Sequence, residues 1–256
     1  MSMVPSRLAS LVFLVLLIGS SSLAQAPPVA VDLELVLLAD SSGSIDTSEH
    51  RLQREGYAAA LRHPEVLKAI TSGARQRIAV TYVEWADDTA QDVVVPWTII
   101  DGAATADAFS ADLLKGGRRA YGRNAIGAAL LKGKDLIETN AIEGERRVID
   151  FSADSANSWS GPSIADAREA VLKAGIVING LAILCREAAC SGRPAAYNLE
   201  ATFASEIIGG PGSFVVTVES RGGFAEAVRR KLVMEMSAAP VSTGRQAAVG
   251  GAFRRP

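Results

Sequence analysis

Hydrophobic residues along this chain fall into short apolar runs separated by longer amphipathic stretches. The most continuous run is Leu33-Glu34-Leu35-Val36-Leu37-Leu38-Ala39. A strand covered on both faces reads this way, so the run predicts a buried strand of an α/β sheet. Residues 77–85 alternate around Ile78, Val80 and Tyr82, Asp87-Asp88-Thr89 supplies turn chemistry, and residues 92–97 return. That pair predicts a hairpin that places one antiparallel strand at a sheet edge. Residues 147–152, 176–184 and 214–218 read as further strands.

Helical patterns lie between them. Thr47 or Ser48 is expected to cap a helix reaching Arg62, with Leu52, Ala59 and Ala60 on its apolar face. Pro64 opens a second helix through Ile70, and Thr105 is expected to cap a third over residues 106–114, ended by Gly116 and Gly117. Further helices are expected over residues 124–139, from the Ser163 cap to Ala174, over 199–207 and over 224–236. The alternation predicts an α/β fold of three layers: a mostly parallel central sheet with one antiparallel edge strand and helices on both faces. There is no internal repeat. One domain is expected over residues 31–236, preceded by a linker at 25–30 and followed by a tail at 237–256 whose lack of periodicity predicts disorder.

The amino terminus has the order of an export signal. Arg7 precedes an apolar stretch, Leu8 to Ile18, too short to span a membrane, and small residues follow. Cleavage can be framed after Ala24 or after Ala26. The second cut would leave Pro27 immediately after it, so residues 1–24 are read as the signal and Gln25 as the mature start. No cysteine near this boundary could take a lipid, and no later run offers a stable membrane anchor. A periplasmic or secreted location follows, and with it an oxidising compartment. The two cysteines, Cys185 and Cys190, could close a small loop as a disulfide, although two buried thiols would also fit. The 256 residues, 48% of them hydrophobic, suffice for one sizeable core, and a net charge of −2 without a basic stripe argues against a nucleic-acid partner.

The candidate chemistry begins where the first strand ends, at Asp40-Ser41-Ser42-Gly43-Ser44. One carboxylate and two hydroxyls at alternate positions form an all-oxygen set suited to a hard cation, Mg²⁺ or Mn²⁺. The same residues are also ordinary turn formers, and the loop they make is expected to be solvated. Two other strand ends could add donors: Asp154, and the loop before the fourth helix, where Asn124 stands. The Asn124 carbonyl could coordinate, or its amide could bond the Asp40 loop. Asp150 shares a strand face with Asp154 and reads as a core acid hydrogen-bonded to backbone. Trp159 could contact a partner or pack over its own loop.

The Asp-x-Ser-x-Ser pattern resembles the metal-ion-dependent adhesion site of von Willebrand factor A domains. Val80-Thr81-Tyr82-Val83-Glu84-Trp85, Val95-Pro96-Trp97, Asn179-Gly180-Leu181-Ala182-Ile183-Leu184 and Ile208-Gly209-Gly210-Pro211-Gly212-Ser213-Phe214-Val215 resemble a bacterial secreted family, the domain of unknown function 1194, over residues 31–237. The resemblance implies a von Willebrand factor A-like, Rossmann-type fold and export. It also implies a cation held by Asp40, Ser42, Ser44 and Asp154, with a protein partner's carboxylate completing its shell. Asn124 departs from that pattern, standing where a threonine is expected, and Asp-Ser-Ala-Asn at 154–157 departs from an expected Asp-Gly.

Enzymatic readings fit less well. A serine hydrolase needs a base, and the histidines, His50 and His63, both lie in or beside the first helix, with no Gly-x-Ser-x-Gly elbow. A metal-dependent hydrolase would draw on more direct carboxylates. The expectation is therefore a non-enzymatic, metal-dependent protein-binding module, with a scaffold whose metal site has decayed as the alternative. Amino-terminal sequencing of the exported protein should return Gln25; recovery of Met1 in a membrane fraction would contradict the export signal.

Overall fold

The computed structural model describes residues 27–184 and 197–237. Six strands form one sheet: β1 (Val29–Asp40), β2 (Ile78–Trp85), β3 (Gln91–Ile100), β4 (Ile142–Ala153), β5 (Val177–Ile183) and β6 (Val215–Val218). Their order is β3-β2-β1-β4-β5-β6. All neighbours run parallel except β2 and β3, so the antiparallel edge strand is where the hairpin pattern puts it. β1 is bonded on both sides, to β2 and to β4, and Leu35 through Leu38 are fully buried. That position explains its nearly unbroken apolar run.

The helices are α1 (Thr47–Leu61), α2 (Pro64–Thr71), α3 (Ala103–Leu113), α4 (Ile126–Glu138), α5 (Ile164–Lys173), α6 (Leu199–Thr202) and α7 (Phe224–Ser237). Strand alternation divides the core in two. Leu33, Leu35 and Leu37 pack with Tyr57, Leu61, Phe109, Phe224 and Leu232 of α1, α3 and α7. Val36 and Leu38 pack with Ile126, Leu130, Val171 and Phe203 on the opposite face. Residues 29–38 of β1 and 78–100 of the hairpin grow the sheet one way, and β4 to β6 grow it the other way. The reversal lies between β1 and β4, where doubly wound sheets open a crevice at their carboxyl ends.

Several boundaries differ from the sequence pattern. β1 begins at Val29, inside the stretch read as linker, and β4 begins five residues before Arg147. The first half of β4 is polar and partly exposed, so its pattern is weak; its backbone pairing with Val29 to Leu33 holds it in the sheet. The cap of α1 is Asp46, whose carboxylate accepts from the Ser48 and Glu49 amides while Glu49 bonds back, a capping box. Ala59 is exposed; the buried face of α1 carries Gln53, Arg54 and Tyr57 instead. α3 starts three residues early with Thr105 in its first turn rather than at its cap, bonding the Asp101 and Gly102 amides. The helix expected at 199–207 widens after Thr202 into a π turn closed by Ile208 N on Phe203 O at 2.9 Å. Cys185 and Cys190, and the tail beyond Ser237, lie outside the described residues.

Asp150 is a core acid, as its strand context suggests, but its partner is a side chain and not backbone. Its Oδ1 stands 2.9 Å from Nζ of Lys231, and both residues are fully buried. Lys231 also donates to Glu235 at 2.8 Å, and Glu235 accepts from Asn179 at 2.8 Å. The contact to Asp150 is an ion pair without hydrogen-bond geometry, so burial, opposed by Lys231 and assisted by Glu235, lifts the Asp150 carboxyl to about 6. Lys231→Met should therefore cost about 3–5 kcal/mol, because it strands two buried carboxylates. A lowered urea midpoint checks this, and adding Asp150→Asn should recover part of the loss.

Candidate functional site

β1 and β4 both end at the sheet reversal; β1 ends in Asp40, and Asp154 follows the last residue of β4, Ala153. Asp40 is only 1% exposed, so it does not lie on a solvated loop as its turn-like surroundings suggest. The chain folds back over it: Ser42 N donates to Asp40 Oδ1 at 2.8 Å, Ile45 N donates to Ser42 O at 3.0 Å, and Gln53 of α1 donates to Asp40 O at 3.0 Å. Ser42 Oγ and Ser44 Oγ are 3.2 Å apart, and the Ser44 hydroxyl faces the Asp154 carboxylate. The Asp154 amide points toward Asp40 from outside hydrogen-bond geometry. Asp40, Ser42, Ser44 and Asp154 thus form one contiguous cluster.

The electrostatics of this cluster are unbalanced. Burial, then the charge of Asp154, pushes the Asp40 carboxyl up to about 7 against the pull of its bonds from Ser42. Burial likewise raises Asp154 despite the Ser44 hydroxyl. Asp40 Oδ2 and Asp154 Oδ1 are buried with no hydrogen-bond partner. Two facing acids, each with an unpartnered buried oxygen and two hydroxyls between them, fit a hard cation by donor type and by charge. Among the described residues no group of three or more His, Cys, Asp or Glu is placed to hold a metal.

Asn124 lies in the loop before α4, one residue ahead of its cap. Its amide does not bond the Asp40 loop. Asn124 Nδ2 donates to Ser155 Oγ at 2.8 Å, which leaves Oδ1 free of donors among the described residues. Ser155 belongs to the Asp-Ser-Ala-Asn segment, so the two departures from the expected pattern bond each other. The next residue, Ala156, donates from its amide to the Tyr197 hydroxyl at 2.8 Å, fixing the loop's shape. Trp159 N donates to Asn124 O at 2.7 Å, while the Trp159 ring is 62% exposed. The ring therefore does not cover its own loop.

Sequence reasoning missed the residues that hold the Asn124 loop in place. Glu84, at the end of β2, is fully buried; Oε1 accepts from Arg54 Nε at 2.8 Å and Nη2 at 2.5 Å and lies 2.6 Å from His50 Nε2. Oε2 accepts from the Arg119 amide at 2.6 Å. Arg54 also donates to the carbonyls of Lys115 at 3.0 Å and Gly117 at 3.0 Å. The loop is tied again by Ser41 Oγ to Ala120 O at 3.0 Å and by Gly43 N to Gly122 O at 2.9 Å. Gly122 sits at φ +128, where an added Cβ would fall 2.7 Å from Cβ of Asp87, so only glycine suits this junction. The available signal was a glutamate inside an apolar strand, with His50 and Arg54 spaced i, i+4 on a helix.

The family model described as "Protein of unknown function (DUF1194)" matches residues 30–240. The chain belongs to this family. No curated protein matches it significantly in sequence. Its fold is shared with von Willebrand factor A domains. The pilus adhesin SpaC from Lactobacillus rhamnosus GG, in its open conformation, superposes with a TM-score of 0.56 at 12% identity, covering 82% of this chain and 30% of that one. Proximal thread matrix protein 1 from the mussel byssus, "with zinc occupied MIDAS motif", gives a TM-score of 0.56 at 15% identity over 82% of this chain and 49% of that one. A von Willebrand factor type A protein from Catenulispora acidiphila gives 0.51 at 16% identity over 81% and 43%. This chain thus spans less than half the length of each of these relatives in structure.

Burial would raise the Glu84 carboxyl, but the bonds from His50 and the Arg119 amide, with Arg54, outweigh it and hold the group down at about 2, from an ordinary 4.5. A depressed carboxyl contributes stability that is present above about 4.5 and lost as pH falls through about 2. Glu84→Gln should cost about 3–5 kcal/mol at neutral pH, since it leaves Arg54 buried and unpaired. Melting curves should show that deficit shrinking between pH 4.5 and 2; a deficit independent of pH would contradict the assignment.

Proposed function

We propose that this chain is an exported, non-enzymatic protein-binding module of adhesion type, carrying one divalent cation, Mg²⁺ or Mn²⁺, at the carboxyl edge of its sheet. The observation that carries the reading is the pair of buried, unpartnered oxygens, Asp40 Oδ2 and Asp154 Oδ1. Ser42 and Ser44 would ligate directly, Asp40 and Asp154 directly or through water, and Asn124 through Oδ1. When bound, the cation supplies a Lewis-acid position that a partner's carboxylate can complete. The chain's own contribution is to hold two acids and two hydroxyls at a fixed spacing and to exclude water from their inner side. Support also comes from the zinc-occupied motif of the mussel protein and the adhesin role of SpaC. A module over residues 31–236 accords with the extent of the family match.

A scaffold whose site has lost its metal is the second reading. It is favoured by Asn124, whose amide is already engaged by Ser155. A hydrolytic reading finds little support: His50 is held by Glu84, and His63 caps α2, accepting from Glu65 N at 3.3 Å.

Isothermal calorimetry decides between module and scaffold. The full chain should bind one Mg²⁺ or Mn²⁺, and Asp40→Ala should abolish the heat. Its melting temperature without metal should stay level or rise, because the substitution removes a carboxylate that is costly to bury. Asn124→Thr should keep or strengthen binding. No heat with either ion, and no difference between the parent chain and Asp40→Ala, would favour the decayed scaffold.

A further inference from the structure

The rim of this site has a chemistry of its own. The segment from Lys115 to Asn124 contains one lysine, three arginines and no carboxylate. Two large aromatic rings stand out on the rim, Tyr121 at 64% and Trp159 at 62% exposure. Each lies under a guanidinium: Arg118 is 5.7 Å from the Tyr121 centroid, and Arg123 is 4.1 Å from that of Trp159. Both rings are tied to the metal-site loops, Trp159 through its amide bond to Asn124 and Tyr121 through its hydroxyl, which donates to Arg118 O at 3.2 Å.

The two arginines differ in what remains for a ligand. Arg118 is spent on the chain itself, donating to the carbonyls of Ile45 and Asp46. Arg123 is exposed and stacks on Trp159, and among the described residues its guanidinium makes no hydrogen bond or ion pair. A guanidinium stacked by its face on an indole keeps its in-plane N–H fork open, and that fork matches a carboxylate. Asp87, on the β2–β3 turn, lies beside this segment but is already engaged: it accepts from Ser160 Oγ at 2.9 Å and from the Asp88 amide at 2.9 Å, and its carboxylate faces the Arg123 backbone amide rather than being bonded by the guanidinium.

We propose that the rim is a second carboxylate subsite. The surface takes an extended acidic segment of a partner protein, one carboxylate at the cation and a neighbouring one on the Arg123 fork, with the chain between them lying against Trp159 and Tyr121. The assignment rests on the metal-binding reading given above and adds the charge pattern of the partner. Arg123 selects, and Trp159 holds Arg123 flat and supplies apolar contact. The basic loop also raises the encounter rate with an acidic partner.

The test uses two blocked, glycine-based peptides carrying a fluorophore, one with a single aspartate and one with two spaced aspartates. Anisotropy is measured with the full chain in Mn²⁺ and in chelator. The two-aspartate peptide should bind roughly tenfold more tightly in Mn²⁺, and chelator should abolish binding of both. Arg123→Ala should erase the difference between peptides, Arg123→Lys should restore part of it, and Trp159→Ala should weaken both. Calorimetric Mn²⁺ binding should be unchanged in all three variants. Equal affinity of the two peptides, no binding of either, or a difference that survives Arg123→Ala overturns the subsite while Mn²⁺ heat persists. Loss of Mn²⁺ heat in the parent chain overturns the metal site and the subsite with it.

Discussion

Two carboxylates, Asp40 and Asp154, are brought together away from water at the point where the sheet reverses its direction of growth. Their proximity follows from topology: β1 and β4 are parallel neighbours, β1 ends in Asp40, and Asp154 directly follows β4 at the same edge. Mutual repulsion and desolvation both disfavour this arrangement. The surrounding loops hold it in place, through Ser42 on Asp40, Ser44 toward Asp154, and Gln53 on the Asp40 carbonyl.

Elsewhere, among the described residues, the acids buried in the core are met by a cation or by a donor on each oxygen. Glu84 has Arg54 and His50, Asp150 and Glu235 share Lys231, and Glu34 accepts from Asn140 and the Gly144 amide, each at 2.8 Å. Against that pattern the Asp40–Asp154 pair stands apart, because Asp40 Oδ2 and Asp154 Oδ1 have neither a cation from the described chain nor a hydrogen-bond donor. The contrast is internal to one molecule, so it does not depend on likeness to any other. It makes an external cation the natural counter-charge. The Glu84 cluster serves the same site at one remove, because the loop it clamps is the one that carries Asn124.

Much of the fold was legible because its strands are either buried on both faces or alternate cleanly. The first half of β4 was hidden because its residues are polar and its place depends on backbone pairing with β1. The ends of α1 and α3 shifted because Asp46 and the Asp101–Gly102 turn outcompete Thr47 and Thr105 as caps, a choice made by local hydrogen bonds. At the site, Asp40, Ser42, Ser44 and Asp154 could be assembled from strand ends alone. The burial of Asp40, the Asn124–Ser155 bond and the role of Glu84 could not, since each depends on contacts distant in sequence. Arg123 was silent for the same reason: its pairing with Trp159 exists only once the two loops meet.

We propose that the unpartnered oxygens of Asp40 and Asp154 share one cation. Crystals soaked in Mn²⁺ and measured at the manganese absorption edge test it most directly. A single anomalous peak is expected within coordination distance of Ser42 Oγ, Ser44 Oγ and one or both of these carboxylates. An ordered, empty site at saturating Mn²⁺, or a peak only at surface acids, would contradict it.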